Sequence, residues 1–296
     1  MSDAQVVVIG DALIDEIRDA DGARDFVGGA ALNVAVGLGV LGVPSRLIAM
    51  VGEDDDGAAI RRHLARYGVG LIATSGPLGS SRAVSERIDG EPRYTFNAAA
   101  QQRRIIIDDA ARAALDAATH VVVSCFPFDD TAQLVEVLGA VRDRAGRLIV
   151  DPNPRPGMMR DLAEFRRGVE TTATACRLMK IGDDDATLLY RAPVSDGAAT
   201  LLAVGASTVL ATAGMAGAAL HEPGRPDLAV PIAELPGPVV DTMGAGDATL
   251  AAVVSRIVAA DRAGEPVDWS AALTFAMRVA AATCRAHGAL LRLPTG

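Results

Sequence analysis

Aromatic residues are scarce, only 3% of the 296-residue chain. Half of the chain is hydrophobic all the same, so the interior has to be built from Ala, Val, Leu and Ile. Lysine is nearly missing. Lys180 is the only one, and the other strongly basic side chains are all Arg, a compositional bias. Cysteine is sparse as well: Cys125, Cys176 and Cys284 lie far apart. That excludes a disulfide framework, offers no metal-type spacing and suits a reducing compartment. No apolar run reaches the length of about 18 residues that a membrane-spanning helix needs. The start, MSDAQVVVIGDALID, lacks the basic and apolar regions of a secretory signal, so a cytoplasmic protein is expected. Positive charge is in deficit, with a formal net charge of −9. This argues against a general nucleic-acid or anionic-membrane binder, but it leaves room for a local phosphate pocket lined by amides.

Apolar β-rich runs alternate with helical ones along the chain. Strands are expected at 5–10, 46–52, 120–125, 147–151, 177–182 and 207–212. Their continuous apolar character suits buried parallel strands. Helices are expected at 29–41, 56–67, 129–144, 158–174, 196–205, 245–262 and 268–287. The alternation predicts an α/β sandwich with a mainly parallel sheet, in one domain over 1–296. Residues 12–27 and 81–97 break the pattern, with DG pairs at 21–22 and 89–90. The second segment alternates polar and apolar residues and reads as a β-hairpin. Together they predict a small flap of strands that covers a substrate or pairs with another subunit.

The chemistry concentrates in DTMGAGDA at 241–248, followed by a long apolar helical run. Gly244, Ala245 and Gly246 lead into the helix and Asp247 sits in its first turn. A helix start presents unpartnered N–H groups and favours negative charge, and small residues let an anion approach. A carboxylate at the mouth of such a pocket suits phosphoryl transfer: amides hold the charge and the acid takes a proton from an attacking hydroxyl. An ordinary helix entry is the plain alternative. GDALID at 10–15 ends the first strand, where ligands of open α/β sheets bind. Asp15 and Asp11 would therefore point at a pocket and accept bonds from sugar hydroxyls. GGAALNVAVGLGVLG at 28–42 opens with Gly28 and Gly29 and carries Asn33 near a helix start. DPNPRP at 151–156 brings Arg155, well suited to phosphate or carboxylate, to the same sheet edge. VGEDDDG at 51–57 reads as a solvated helix start, with Gly52 and Asp54 as lining.

DTMGAGDA and the 28–42 segment closely resemble the two signatures of the ribokinase-like (PfkB) carbohydrate kinases. The resemblance runs from Gly10 to the RAHGALLRLP tail at 285–294. It implies a three-layer α/β/α sandwich with a β-strand lid, and an ATP-dependent sugar kinase in which Asp247 is the base and the amides of Ala245, Gly246 and Asp247 hold the transferring phosphate. Asp15, Gly28, Gly29 and Asn33 would bind the sugar, with Asp11 and Arg155 beside it. The D-x-N-x-R pattern of 151–155 matches the family as well. KIGDDD at 180–185 is similar to the family's K-x-(N or S)-x-x-E segment, whose acid helps hold Mg²⁺ through water. Here Gly182 and Asp185 depart from the usual residues. ATAGMAGA at 211–218 is similar to the family's nucleotide loop, so Lys180, Thr212, Gly214 and Gly217 would contact ATP. Asp241 is the candidate for a monovalent cation, K⁺. Met277 stands where relatives often have Asn near the adenine.

The opening and the 28–42 run look most like fructokinases, so fructose or a similar ketose is the expected acceptor. Arg155 also suits 2-keto-3-deoxygluconate, and ribose and nucleosides stay open. A non-catalytic sugar- or nucleotide-binding protein on the same fold is the rival from another class. A Rossmann dehydrogenase is disfavoured, since no G-x-G-x-x-G follows the first strand. Dimerisation through the flap is expected. Histidines 63, 120, 221 and 287 show no ligand spacing.

Overall fold

Strands buried on both faces form the middle of the molecule. The computed structural model describes residues 6–19, 22–88, 91–141 and 146–294. Its strands are β1 (Val6–Gly10), β2 (Leu13–Asp19), β3 (Gly22–Gly28), β4 (Ser45–Val51), β5 (Gly70–Ser75), β6 (Ser81–Ile88) and β7 (Glu91–Phe96). They continue with β8 (His120–Ser124), β9 (Leu148–Asp151), β10 (Leu178–Gly182), β11 (Val209–Thr212), β12 (Ala218–His221) and β13 (Leu228–Val230). The main sheet has nine strands in the order β13-β12-β11-β10-β9-β8-β1-β4-β5. From β11 to β5 all neighbours are parallel, and β12 and β13 add an antiparallel edge. β4 and β5 build outward on one side of β1, whereas β8 to β11 build outward on the other. The strand order reverses between β1 and β8, and a crevice at their carboxyl ends is where such sheets bind ligands.

The helices are α1 (Ala30–Val40), α2 (Asp55–Arg66), α3 (Ala98–Gln101), α4 (Asp109–Ala117), α5 (Thr131–Val141), α6 (Leu162–Ala173), α7 (Asp183–Tyr190), α8 (Val194–Ala203), α9 (Ala245–Ala263) and α10 (Trp269–Thr283). Strand alternation sorts them into layers. Val6, Val8, Leu47 and Val122 share a core with α1, α2, α9 and α10. Val7, Ile9, Ile48 and Val121 face the opposite way, into a core with α4 to α8. The result is the expected three-layer sandwich. With few aromatics, close approach replaces bulk. A Cβ on Gly37 of α1 would lie 3.0 Å from the Cβ of Ala251 on α9. This tight contact holds together the two helices that carry Asn33 and Asp247.

The flap is the second sheet, in the order β3-β2-β6-β7. β2 leaves β1 after only Asp11 and Ala12, so the flap rises from the carboxyl edge of the main sheet. Its register aligns Phe26, Asp15, Ala83 and Phe96 in one row on one face. On the other face Arg82 binds Glu16, at 2.7 Å, and both oxygens of Asp25 and of Asp56. Asp56 belongs to α2, so this network ties the flap to the main body.

The differences from the sequence reading have local causes. α7 is missed because three consecutive acids look like a loop, although negative charge suits a first turn. α4 and β5 are short, and β12 and β13 form a hairpin around EPGRPD. The helix expected to reach 287 stops at Thr283, and Gly288, with φ 80, turns the tail back toward the site. The tip of the 81–97 hairpin and Asp21 lie outside the described residues.

Candidate active site

Asp247 is buried in the first turn of α9, and Asn33 of α1 donates its side-chain N–H to Asp247 Oδ2 at 2.8 Å. Among the described residues no donor reaches Oδ1, which leaves it for an incoming hydroxyl. Burial raises the Asp247 carboxyl to about 6, with Asp151 pushing the same way and Asn33, Lys180 and Arg155 opposing. A base near neutrality is what proton abstraction requires. The helix start fits an anion. Gly244 caps it with φ 75 and no side-chain cap is present. One detail corrects the sequence reading: the Ala245 amide donates to Thr242 O at 3.2 Å. The turn into the helix folds it back on the preceding loop. Among the described residues the amides of Gly246 and Asp247 have no acceptor, so they are free to meet an anion.

Gly244 cannot carry a side chain, because its Cβ would lie 2.6 Å from the Cα of Ala289 in the tail. Asp241 makes that contact firm. Its Oδ1 accepts from Met243 N at 2.9 Å and its Oδ2 from Gly288 N at 3.0 Å. The backbone O of Cys284 accepts from Val240 N and Asp241 N. The tail thereby braces the loop that leads into α9.

Lys180, expected at the nucleotide, pairs with Leu210 on the strand that leads to Thr212, and its ammonium reaches the turn that carries Asp247. It is buried on β10, its Nζ lies 2.9 Å from Oδ2 of fully buried Asp151, and a Cβ on Gly246 would sit 3.4 Å from Nζ. Burial opposes its charge, but Asp151, Asp185 and Asp247 outweigh burial and raise its pKa. Asp185 is buried in the first turn of α7 and accepts from Gly182 N at 2.8 Å through Oδ2. Burial lifts it to about 6, with Lys180 opposing. Among the described residues no three His, Cys, Asp or Glu side chains form a metal cage.

On the acceptor side, Asp15 faces the cleft from β2. A Cβ on Gly28 would lie 2.1 Å from Asp15 Oδ2, so the glycine makes room for the carboxylate. Enclosure and the charge of Asp11 push Asp15 up to about 7, against the pull of Arg155. Asp11 is buried and accepts from Ala31 N at 2.9 Å, which fixes the start of α1. Its role is therefore partly structural. Gly29, with φ 105, allows the chain to pass close to the Asp11 carbonyl. The Arg155 guanidinium acts on Asp11, Asp15, Asp185 and Asp247 alike. Among the described residues it makes no hydrogen bond or ion pair. Arg103 was not legible from the sequence. It is buried beside Asp11 and donates to Met158 O at 2.8 Å, and nothing in its QQRR context marks it.

Other candidates take different places. Thr212 ends β11, and Gly214 and Gly217 bound a short 3₁₀ turn. Gly217, with φ 94, lies against the Val230 carbonyl. Asp54 accepts from Gly57 N, Ser80 N and Ser80 Oγ, which makes it a cap and loop anchor. Met277 is buried in the main core. No helix among the described residues is long and apolar enough to cross a membrane.

This geometry has known counterparts. The profile of the pfkB family of carbohydrate kinases matches residues 3–296. A fructokinase of Salmonella typhimurium is 29% identical, over 98% of this chain and 96% of its own. Two solved structures share the fold. A Xylella fastidiosa fructokinase with bound ATP has a TM-score of 0.80 and 21% identity over 97% of this chain and 94% of its own. A putative ribokinase II of E. coli in complex with ATP and Mg²⁺ has a TM-score of 0.78 and 20% identity over the same shares.

Proposed function

The chain belongs to the pfkB family of carbohydrate kinases, and from that membership we propose that it transfers the γ-phosphoryl group of ATP to a hydroxyl of fructose or a similar ketose. The observation that carries this reading is Asp247: a buried carboxylate with one oxygen held by Asn33, the other open, and two free amides beside it. Asp247 takes the proton of the acceptor hydroxyl, and the amides of Gly246 and Asp247 stabilise the charge on the transferring group. Asp15, Asn33 and the glycines at 28–29 bind the sugar, while Thr212, Gly214 and Gly217 border the nucleotide. Asp185 would hold hydrated Mg²⁺ through a water, and the ion would supply positive charge against the phosphates. K⁺ is a candidate activator beside Asp241.

The fructokinase relative supports the ketose. One observation favours a second reading: the unpartnered Arg155 guanidinium suits a sugar acid such as 2-keto-3-deoxygluconate. A coupled ADP-release assay with Mg-ATP over fructose, that sugar acid, ribose and nucleosides decides between them. Turnover on fructose upholds the first reading and turnover on the acid alone replaces it. If no acceptor stimulates ADP release, the kinase assignment for this site falls.

We further propose a cytoplasmic homodimer joined through the flaps. Support comes from the exposed outer strand β3 and from Tyr94, half exposed on the flap face that carries Asp15. Light scattering at micromolar concentration would show a mass near twice the chain's 30.4 kDa; a monomer refutes it.

A further inference from the structure

We propose that Lys180, stationed by Asp151 beneath Gly246, is a positioning residue that acts on the transfer through the anion hole and Asp247 rather than by contact with the nucleotide. The inference rests on the kinase reading of the same site. Three observations carry it. The first is composition: Lys180 is the only lysine among 28 Lys and Arg residues. In a chain that uses Arg everywhere else, a lysine here marks a place where a compact point charge fits and a planar fork does not.

The second is position. β9 and β10 are parallel, with Met179 opposite Val150, so the next residues along, Lys180 and Asp151, sit side by side at the carboxyl edge. The ammonium lies 2.9 Å from Asp151 Oδ2 and directly against Gly246, whose missing Cβ leaves it space. The third is incompleteness. Asp151 is fully buried, yet among the described residues its Oδ1 has no hydrogen-bond partner. Breaking or burying such a pair is costly, and a half-satisfied one is poor evidence of a stabilising role. Its placement under the hole is what gives it a use. A fixed positive charge behind two amides strengthens the field that meets the transferring phosphoryl group, in a dry site where such charges act strongly.

Five groups surround Asp247: Asn33 from α1, Asp15 from β2, Asp151 from the end of β9, Lys180 from β10, and Arg155 from the loop after β9. Removing the ammonium would leave only Asn33 and Arg155 to offset Asp151 at the base.

A sole lysine also makes the test clean. With ¹³C-lysine labelling the protein gives one ε-carbon signal. Asp185 faces the same ammonium and ionises in the same range, so the titration is read in an Asp185→Asn background without nucleotide, where the signal should inflect between pH 5 and 8 as Asp247 ionises. Adding Asp247→Asn should abolish the inflection. A signal flat across this range, or one that inflects equally once Asp247→Asn is added, overturns the proposal, whatever the activity assay shows. In turnover, Lys180→Met should lose about 10²-fold in kcat, with KM for ATP changed less than about threefold and the acid limb of kcat/KM moved to higher pH. Lys180→Arg should recover less than a tenth of the loss. Normal kcat in Lys180→Met, or a loss confined to KM for ATP, refutes the role. If Lys180→Met does not fold, the double variant Lys180→Met/Asp151→Asn removes both charges and carries the same kinetic test. A wild type inactive on every acceptor overturns the kinase reading instead, and the ε-carbon titration still decides the coupling.

Discussion

Replacing Asp247 with Asn should stabilise the protein while nearly stopping turnover. Burial raises this carboxyl from an ordinary 3.8 to about 6. Its proton is therefore held more tightly in the folded than in the unfolded chain, and the folded state is favoured when Asp247 is protonated. Stability falls as pH rises from about 4 through about 6, and the full cost is present above that. At about 1.4 kcal/mol per decade of proton affinity, the cost at pH 7 is about 3 kcal/mol. At pH 4.5 it has shrunk to about 1 kcal/mol. Asn has nearly the same shape, and its carbonyl oxygen still accepts from Asn33, so the variant escapes the cost without opening a cavity. For a chain of this length the gain at pH 7 corresponds to about 5 °C in Tm. Turnover should drop at least about 10²-fold, since the amide cannot take a proton. Thermal melts of both proteins at pH 7 and pH 4.5, with ADP release measured on the same samples, test both halves. A variant no more stable at pH 7, a gain of equal size at the two pH values, or near-normal turnover would show that the burial argument is wrong.

The wild-type kcat/KM should fall on the acid side with an apparent pKa near 6, where Asp247 becomes protonated; a profile flat down to pH 5 would contradict the base assignment. Gly246→Ala should lower kcat at least tenfold with a small change in Tm, because its Cβ meets only the flexible end of Lys180 at 3.4 Å. Gly244→Ala should instead lower Tm, since φ is 75 and the Cβ would collide with the Ala289 backbone, a strain of about 1–3 kcal/mol or more. Asp15→Ala should raise KM for the acceptor by the equivalent of about 1–3 kcal/mol, with KM for ATP little changed; equal loss of both ligands would remove Asp15 from the acceptor pocket.

The fold was largely legible because its strands are continuous apolar runs and its helices mostly open on caps. The flap was legible from the change to period-two alternation at 81–97. The helix start at Gly244–Asp247 was legible from its glycines and acid, and its chemical reading came from the family resemblance. What the sequence leaves open has one cause: a motif names residues but not the direction of a side chain. Lys180 lies in a segment read as bordering the nucleotide, and on β10 its ammonium reaches Asp151 beside Gly246. Asn33 was read as a sugar ligand, and the close α1–α9 contact at Gly37 and Ala251 brings it onto Asp247 as well. Met277 sits on a helix expected near the base, and the packed side of α10 takes it into the core. Arg103 could not be found at all, because its position depends on where the chain returns from the flap.

The chain contains the same triplet twice, Asp54–Asp55–Asp56 and Asp183–Asp184–Asp185, and only the fold separates their uses. Asp54 accepts three hydrogen bonds at the entry to α2, and those bonds outweigh its partial burial and lower its pKa. Asp130 and Asp261 follow the same rule, held low by Gln133 and by Arg177 with His120. These acids are stabilised as anions by partners that the fold supplies, so they contribute to structure and have little left to offer a ligand. Asp11, Asp15, Asp185 and Asp247 go the other way. Each is enclosed with too few partners, and burial raises each above the ordinary range. An acid left in that state makes the empty protein less stable at neutral pH, and it gains when a hydroxyl, a hydrated cation or a proton arrives. The four converge on the carboxyl edge of β1, β9 and β10, with Arg155 in the field of all of them and Lys180 beside Asp185 and Asp247. Among these seven, hydrogen-bond partners thus go with lowered carboxyls and enclosure without enough of them goes with raised ones, which marks the four as the groups with most to gain from a ligand.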